Sequence, residues 1–292
     1  MKCATVAIIG RPSAGKSTLV NTICEGKVSI VSTTPQTTRN AIKGIYTDSR
    51  GQLIFIDTPG YHHSEAALNQ KLQQTTRSSL QDCDLLLYMV DPTRSAGIEE
   101  QSVVDLIKQT NTPTVVAINK TDVATADEIA SARLFITEQL AEVPVFELSA
   151  QKDEGVDELL IELYALAPEG KLLYPKDTYT DQPLEFRIAE IIREKTISSL
   201  TEELPHSVYV EVADLEYAAE AESIWVRAFI HVERDSQKGI VVGKGGEGIK
   251  KIRQASFKEI RRLFPGKSLH VDLRVKTLAN WRKNESLLQS LF

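Results

Sequence analysis

The chain has 292 residues, of which 42% are apolar and 25% charged, as is typical of a soluble globular protein with one large or two ordinary domains. No apolar run approaches the roughly 20 residues that span a bilayer, and the strand-like run at its start leaves no room for a signal peptide. Cys3, Cys24 and Cys83 lie far apart without C-x-x-C spacing, which argues against a disulfide framework or a metal site and fits a reducing cytosol.

The net charge of −6 conceals two parts of opposite sign. Residues 238–283 contain 13 Lys and Arg against 3 Asp and Glu, a net charge of +10, whereas the rest of the chain carries −16. So basic a segment favours a nucleic-acid partner. On charge alone, a solvated basic helix face that binds nothing is equally compatible.

Residues 1–165 alternate short apolar runs with helix-like segments. This alternation predicts an α/β domain with a mainly parallel sheet and helices on both faces. The strand-like runs are 6–9, 53–56, 85–90, 115–118 and 145–148, and the helix-like segments include 68–80, 99–109 and 126–140.

The first strand-like run leads into a phosphate-binding loop of the pattern G-x-x-x-x-G-K-[ST], formed by Gly10, Arg11, Pro12, Ser13, Ala14, Gly15, Lys16 and Ser17. Its glycines let backbone N–H groups converge on an anion, Lys16 reaches the outer phosphates, and the Ser17 hydroxyl can ligate Mg²⁺. The helix that begins at Ser17 and Thr18 points the positive end of its dipole at the phosphates. The loop alone does not separate an ATPase, a kinase and a GTPase.

The run 53–56 delivers Asp57 to the same site, where its carboxylate can hold Mg²⁺ through a water molecule. Thr58, Pro59 and Gly60 follow. Gly60 lacks a Cβ, so its backbone N–H can approach the γ-phosphate closely. Taken alone, D-T-P-G would be only a turn signal.

The run 115–118 is followed by Asn119, Lys120, Thr121 and Asp122, a pattern that predicts guanine as the base of the nucleotide. A carboxylate at Asp122 can accept from guanine N1–H and its exocyclic amino group together, and adenine offers no such pair of donors. Asn119 would join this loop to the phosphate loop, and the Lys120 stem can lie over the base. After an apolar strand, about sixty residues beyond Asp-x-x-Gly, chance is a weak explanation for N-K-x-D.

The run 145–148 ends in Ser149 and Ala150, where a backbone N–H can meet guanine O6. In their order and spacing the four segments resemble those of a Ras-like GTPase domain, over the first 165 residues. The resemblance implies GTP or GDP as ligand with Mg²⁺. The implied nucleotide contacts are Gly10 to Thr18, Asp57 to Tyr61, Asn119 to Asp122, and Ser149 with Ala150.

The same resemblance makes the segment 33–39 a first switch region, whose threonine ligates Mg²⁺ only with the γ-phosphate present. Thr38, which precedes Arg39, is the predicted ligand, and Thr37 is the alternative. The predicted metal ligands are thus Ser17, Thr38 and Asp57, and the predicted catalytic residues are Lys16, Thr38 and Gly60.

Two departures from related GTPases bear on mechanism. Tyr61 stands where Ras-type enzymes place the glutamine that orients the attacking water, so we expect slow intrinsic hydrolysis. Ser13 stands where many bacterial GTPases have an asparagine, which in some helps to hold K⁺. The need for K⁺ therefore stays open.

A proline- and polar-rich segment, 168–183, predicts a linker between a first domain of residues 1–167 and a second of 184–292. The second domain reads as helix 184–200, strands 207–212 and 224–232, basic helix 248–264, strand 269–275 and a short amphipathic tail helix, 279–292. In that tail, apolar residues such as Trp281 are expected to pack rather than to anchor the chain in a membrane.

The basic helix follows a G-x-x-G loop formed by Gly243, Lys244, Gly245 and Gly246. In KH domains this loop clamps the backbone of about four nucleotides, because glycines let main chain approach the sugar–phosphate closely. Two strands precede the motif and one follows its helix, which predicts the α+β, type II arrangement. The RNA contacts expected are the four loop residues with Lys250, Lys251 and Arg253.

A Ras-like domain joined to this second domain resembles the Era family of bacterial GTPases over nearly the whole chain. The match includes Tyr174-Pro175 of the linker, 189–195, 203–207 and 242–246. The resemblance implies binding near the 3′ end of small-subunit ribosomal RNA, a role in 30S subunit assembly, and a cytoplasmic monomer with weak peripheral membrane contact. The residues themselves support an RNA-binding GTPase. The alternatives are a GTPase adaptor whose second domain binds protein or membrane, and an ATP-dependent kinase, which Asn119 and Asp122 disfavour.

Overall fold

The computed structural model describes residues 1–292 except positions 33, 35, 36, 62–66, 201–203, 219–221, 285, 286 and 290–292, and describes only the backbone at 67–69, 206, 218 and 283. The chain divides into two compact units. One is built from Met1–Val31 and Pro35–Asp181, and the other mainly from Gln182–Leu291. Each unit has its own sheet.

The first unit is an α/β domain around a six-stranded sheet. Its elements are β1 (Lys2–Ile9), α1 (Lys16–Ile23), β2 (Ile42–Thr47), β3 (Gly51–Asp57), α2 (Ala67–Gln81), β4 (Leu85–Val90), α3 (Ile98–Lys108), β5 (Thr114–Ile118), α4 (Ala126–Gln139), β6 (Val145–Glu147) and α5 (Val156–Leu166). The strand order is β2-β3-β1-β4-β5-β6, and every neighbouring pair is parallel except β2 with β3. The predicted mixed, mainly parallel sheet is confirmed.

The central strands are buried on both faces. Alternate residues such as Ile9, Tyr88 and Ile118 pack in one apolar cluster with side chains of α2, α3 and α4. The residues between them, such as Ile8 and Met89, project to the other face and are also fully buried. This two-sided burial explains why these strands appear in the sequence as nearly continuous apolar runs.

The edge strand β2 was missed by the sequence analysis. It is buried less completely than the central strands and contains Gly44, so it lacks a continuous apolar run. A Cβ at Gly44 would lie 2.5 Å from Val20 Cγ1 and 3.0 Å from Cys24 Sγ. The glycine therefore lets α1 pack closely on this strand.

The predicted linker is hydrogen-bonded to the first unit. The Ile45 N–H donates to Tyr179 O at 2.9 Å, and Thr180 Oγ1 donates to Lys43 O at 2.9 Å. This segment thus covers part of the open backbone edge of β2. The first unit extends to Asp181, and the division at residues 167 and 183 stays a prediction.

The second unit contains α6 (Leu184–Ile197), β7 (Tyr209–Ala218), β8 (Ser223–Val232), α7 (Asp235–Val242), α8 (Glu247–Ile260) and β9 (Ser268–Thr277). Its sheet has the order β7-β8-β9, with β7 antiparallel and β9 parallel to β8. The order α-β-β-α-α-β is that of the predicted α+β, type II KH domain. The three helices and one face of the sheet enclose a core that includes Ile192, Val226, Val241, Ile252 and Leu273.

Helix α7 was also missed, because its β-branched end, Ile240-Val241-Val242, resembles a strand in sequence. The Gln237 side chain accepts hydrogen bonds from the backbone N–H groups of Glu233 and Arg234, at 2.9 and 3.0 Å, and so caps the helix start. Val241 is buried in the core of the second unit. Packing thus overrides the local strand preference.

The tail does not form one helix from residue 279. Asn280 has a positive φ of 56°, and Trp281–Lys283 forms a 3-10 turn. The Trp281 indole is 1% exposed and donates to Ser207 O at 2.9 Å, so it packs as predicted. Residues 285, 286 and 290–292 of the predicted helix lie outside the described residues. Among the helices that are described, none is both long and apolar enough to cross a membrane.

Candidate functional site

The phosphate loop connects β1 to α1 at the carboxyl edge of the parallel strands, where ligands of open α/β sheets bind. Gly15 has a φ of +98°, and a Cβ there would lie 2.1 Å from Asn119 Nδ2. Both the backbone conformation and the nearby amide therefore require glycine at this position. The loop thus packs directly against the base-binding segment.

Lys16 lies at the centre of this loop. Its ammonium is almost fully buried and donates to Gly10 O at 3.1 Å and to Arg11 O at 3.0 Å. Burial lowers the pKa of Lys16 to about 8, although attraction from Asp57 and Glu100 partly opposes the shift. An anionic phosphate in the loop would supply a stronger partner than two carbonyls.

Three oxygen-bearing side chains converge beside Lys16. Ser17 Oγ donates to Asp57 Oδ2 at 2.6 Å and lies 2.9 Å from Thr38 Oγ1. These are the three predicted metal ligands, from α1, the end of β3 and the segment before β2. Hard oxygen donors are the ligands that Mg²⁺ prefers.

Asp57 is fully buried, and burial raises its pKa despite the opposing effects of Lys16 and Ser17. Its Oδ1 has no hydrogen-bond partner among the residues that the structure describes. A buried carboxylate oxygen of this kind is costly without a partner. A divalent cation at this position would satisfy it, so the donor set fits Mg²⁺.

This geometry favours Thr38 over Thr37 as the Mg²⁺ ligand, because the Thr38 hydroxyl contacts Ser17. Thr37 is buried and has contacts of its own. Of the predicted switch segment, positions 33, 35 and 36 lie outside the described residues.

The D-T-P-G segment passes close to the phosphate loop. Thr58 Oγ1 donates to Ile8 O at 2.6 Å, and the Tyr61 N–H donates to Gly10 O at 3.2 Å. A Cβ at Gly60 would lie only 2.6 Å from Pro12 Cα, so the Pro59–Tyr61 turn can approach the loop only with glycine at its centre.

Tyr61 is predicted as a nucleotide contact, but its side chain packs in the apolar core of the first unit and is 7% exposed. Its hydroxyl lies 3.3 Å from Arg77 Nη2. Its backbone N–H, by contrast, bonds to the phosphate loop at Gly10. A side chain buried in this way does not resemble the water-orienting glutamine of Ras-type enzymes.

Asn119 joins three loops, as the sequence predicted for two of them. Its Nδ2 donates to Ala14 O and its Oδ1 accepts from the Ala150 N–H, both at 2.9 Å. Asn119 is 2% exposed. The phosphate loop and the two base-binding segments are thereby held in one arrangement.

Around Asn119, the remaining base-binding residues are oriented by neighbours. Asp122 is exposed, and its Oδ1 accepts from Ser149 Oγ at 2.7 Å. Lys120 Nζ lies 2.6 Å from the buried Asp91 Oδ2, which fixes its stem. The exposed Asp122 carboxylate can accept from the two adjacent N–H donors of guanine, while the Lys120 stem can lie over the planar base.

Arg11 was predicted as a nucleotide contact, but its side chain points into the protein. The guanidinium pairs with the buried Glu100 and donates to the carbonyls of Asp91, Arg94 and Ser95. Glu100 also accepts from Tyr88 Oη at 2.5 Å. In sequence, Glu100 appears only as an acid in the first turn of α3, so no local pattern identifies this buried anchor of the phosphate loop.

Ser13, Ala14, Thr18 and Thr121 are further predicted nucleotide contacts. Ser13 is exposed with a φ of 65°, Ala14 is buried, and Thr18 is half-buried in the first turn of α1. The Thr121 N–H donates to Leu148 O at 3.3 Å.

The G-x-x-G loop of the second unit connects α7 to α8. Gly243, Gly245 and Gly246 all have positive φ values, of 72°, 60° and 83°. A Cβ at Gly245 or Gly246 would meet nothing within 4 Å, so the backbone of this turn faces open space. Backbone so accessible at the start of a helix suits a phosphate chain.

Basic side chains surround this turn. Lys244, Lys250, Lys251 and Arg253 are all exposed. Among the residues that the structure describes, none of the four pairs with a carboxylate. The structure thus brings all seven predicted RNA contacts to the G-x-x-G turn and the first two turns of α8.

Comparison with known proteins agrees with the GTPase fold of the first unit and the KH fold of the second. The family model described as 50S ribosome-binding GTPase matches residues 5–120, and that of the KH domain matches residues 203–282. GTPase Era of Treponema denticola is 46% identical over 293 residues, which cover 100% of this chain and 99% of that protein. GTPase Era of Borreliella burgdorferi is 44% identical over 292 residues, with the same coverage.

Solved structures show the same architecture. A variant of Aquifex aeolicus Era bound to GDP and AlF4⁻ matches with a TM-score of 0.94 and 31% identity, over 99% of this chain and 98% of that chain. Era in complex with MgGDPNP and nucleotides 1506–1542 of 16S ribosomal RNA matches with the same TM-score, identity and coverage.

Proposed function

The chain belongs to the Era family of GTPases, and we propose that it is a GTP-driven switch that binds RNA through its KH domain. It hydrolyses GTP to GDP and phosphate and uses Mg²⁺. The RNA we propose is small-subunit ribosomal RNA near its 3′ end, because a closely similar Era structure holds nucleotides 1506–1542 of 16S ribosomal RNA. The proposed process is assembly of the 30S subunit.

In the proposed nucleotide site, the backbone of the phosphate loop and Lys16 hold the phosphates, and Asp122 reads guanine. The Ala150 N–H, predicted to meet guanine O6, instead donates to Asn119 Oδ1. Ser17, Thr38 and Asp57 hold Mg²⁺, which when bound neutralises charge on the phosphate oxygens. The close contact of Ser17 with Thr38 and Asp57 supports this assignment.

Hydrolysis then requires a water molecule in line with the γ-phosphate. Lys16 adds positive charge to the transferred group, and the Gly60 N–H is proposed to face its oxygens. We assign no side chain as general base, because Tyr61 lies in the core. Water held only by backbone, another loop or a partner accounts for the slow intrinsic rate that we expect.

The RNA half of the proposal depends on the open turn at Gly245 and Gly246. Gly245→Asp tests it, because φ near +60° is tolerated by Asp and nothing lies within 4 Å of the new Cβ. Gly266→Asp is the matched control, with a φ of +78°, equally open space and the same charge change beyond the far end of α8.

Affinity for an RNA of nucleotides 1506–1542 is measured for the wild type and both variants at several salt concentrations. We expect Gly245→Asp to lose RNA affinity and Gly266→Asp to keep most of it. Wild-type affinity should fall steeply with salt, because bound phosphates release counterions. Equal RNA affinity of Gly245→Asp and the wild type would contradict the RNA site.

The guanine assignment is tested separately through Asp122→Asn. The amide can donate to the extra carbonyl of xanthine, so preference should move from GTP towards XTP. Because Asp122 is exposed, the folded structure should not suffer. Unchanged preference for GTP in a competition titration would remove Asp122 from the base site.

The same RNA titration, repeated with GDP and with a non-hydrolysable GTP analogue, tests the switch. We expect different RNA affinities in the two states. If neither state binds RNA, the alternative of an adaptor that binds protein or membrane replaces this proposal.

We propose a cytoplasmic location because ribosomal subunits are assembled there. Weak peripheral membrane contact and a monomeric state, both implied by the family resemblance, stay predictions. Co-sedimentation with anionic vesicles and analytical ultracentrifugation test them. Stimulation of GTP hydrolysis by K⁺ over Na⁺ settles the question that Ser13 leaves open.

A further inference from the structure

A groove of about 960 Å³ in the KH domain is lined by residues of α8, of the edge strand β9 and of β8. Its lining combines aromatic, basic and amide side chains, among them Trp225, Lys251, Arg253, Gln254, Lys258 and His270. Lys251 and Arg253 belong to the proposed RNA contacts. The aromatic pair has no part in the site described so far.

Trp225 is an unusual surface residue because 49% of it is exposed. Its neighbours in β8, Ile224 and Val226, are buried, so strand alternation directs Trp225 to the open face of the sheet. His270, its register partner on β9, stacks on the indole with ring centroids 4.7 Å apart and planes 17° from parallel. The stack holds the indole in place and leaves much of it accessible.

The charges around the groove are unbalanced. Within the described part of the chain, Lys251, Arg253 and Lys258 pair with no carboxylate. The one carboxylate that lines the groove, Asp272, lies 2.8 Å from Arg274 Nη2 and 3.4 Å from Arg227 Nε. These two guanidinium groups hold the pKa of Asp272 below its usual range, with hydrogen bonding to Arg274 the largest cause. The groove is therefore cationic.

We propose that the Trp225–His270 pair is a stacking platform for a base of single-stranded RNA, which continues from the G-x-x-G turn into this groove. The inference rests on the proposed RNA-binding function and extends it to a named aromatic contact. The bound base would lie on the exposed indole surface, and its phosphates would face the lysines and the arginine.

A nucleotide suits this surface better than a peptide or a lipid. Stacking needs a flat π-face, which every base offers, and the chain joining successive bases carries the negative charge that the basic rim requires. Gln254, in the same lining, offers both a donor and an acceptor to a base edge. Glu216, opposite Trp225 on β7, lies on the side away from β9.

Tryptophan fluorescence gives a direct measurement. The chain has two tryptophans, and Trp281 is buried with its indole N–H bonded to Ser207 O. Titration with the RNA of nucleotides 1506–1542 should quench the emission of Trp225, as base stacking does. Trp225→Phe retains Trp281 alone, and its emission should stay unchanged by RNA.

Affinity measurements test the energetic role. Trp225→Leu removes the aromatic face at an exposed position and should weaken RNA binding about 5- to 150-fold, the fold-change that corresponds to the stacking of one base on an aromatic side chain. Trp225→Phe keeps a π-face and should retain most of the affinity. Circular dichroism should show that both variants fold normally.

An oligonucleotide of the same length in which all bases are removed serves as the charge control. It should bind the wild type and Trp225→Leu equally, because only the phosphates remain. Equal loss of affinity for the abasic and the natural RNA would show that the substitution acts through folding or the shape of the groove and would overturn the stacking platform.

Other outcomes separate the two proposals. If RNA binds and Gly245→Asp weakens it, but Trp225→Leu binds as tightly as the wild type, the platform is wrong and the RNA-binding function stands. If Trp225 emission is quenched without any loss of affinity in Trp225→Leu, the platform is also wrong. If the wild type binds no RNA, the proposed function itself fails.

Discussion

Removing the side chain of Asn119 should disconnect the nucleotide site before any ligand binds. In Asn119→Ala, the Ala14 carbonyl and the Ala150 N–H lose their 2.9 Å partners. Because Asn119 is 2% exposed, water cannot freely replace the amide. Each buried backbone group left without a partner costs about 1–3 kcal/mol, so the free energy of unfolding of the first unit should fall by about 2–6 kcal/mol.

Urea unfolding of the nucleotide-free protein, followed by circular dichroism, measures this change, and calorimetry measures the affinity for GDP. Asn111→Ala is the control, because Asn111 is exposed in the loop before β5 and should change stability by less than about 0.5 kcal/mol. GDP affinity should fall in Asn119→Ala and not in the control. A loss below about 1 kcal/mol together with wild-type GDP affinity would refute the idea that Asn119 holds the three loops together.

Further predictions concern charge and close packing in the same site. The pKa of Lys16 is lowered to about 8, so between about pH 8 and 10.5 the folded protein binds fewer protons than the unfolded chain. The free energy of unfolding should therefore rise with pH across this window in the wild type and not in Lys16→Met. Urea unfolding at each pH measures this difference. Gly60→Ala places a Cβ 2.6 Å from Pro12 Cα and should slow single-turnover GTP hydrolysis more than tenfold, whereas Gly97→Ala, whose Cβ would meet nothing within 4 Å, should not. Glu100→Gln leaves the Arg11 guanidinium buried without a counter-charge and should cost about 3–5 kcal/mol of stability, against less than 1 for Glu99→Gln, whose pairing with Arg94 is exposed.

The elements and contacts that were predictable from sequence are those encoded locally. The phosphate loop needs glycine, lysine and serine at fixed spacing between a strand and a helix, so its eight residues predict both its position in the fold and its chemistry. The buried central strands are recognisable in the sequence as apolar runs. The same reasoning missed β2, which is buried less completely than the central strands, and α7, where β-branched residues end a helix.

Inward-facing residues were the harder part of the site. Arg11 and Tyr61 belong to recognised motifs, yet each side chain turns into the protein, Arg11 to Glu100 and Tyr61 to the apolar core. A motif fixes where the backbone goes, but the direction of a variable side chain depends on partners from distant parts of the chain. Glu100 is 89 residues from Arg11, and no spacing rule connects the two.

Each candidate site combines a glycine-rich turn that suits phosphate with a side chain for the base that is held by a residue distant in sequence. At Gly10–Ser17 and at Gly243–Gly246, a glycine-rich turn lies at a helix start with lysines nearby, and such turns suit phosphate whatever base it carries. Selectivity must then come from side chains that meet the base. Asp122 is oriented by Ser149, from another loop, and Trp225 is stacked on His270, from another strand. Substitutions in the turns should therefore weaken binding of all nucleotides or RNAs alike, whereas substitutions at Asp122 or Trp225 should change which base is preferred or how strongly a base adds to binding.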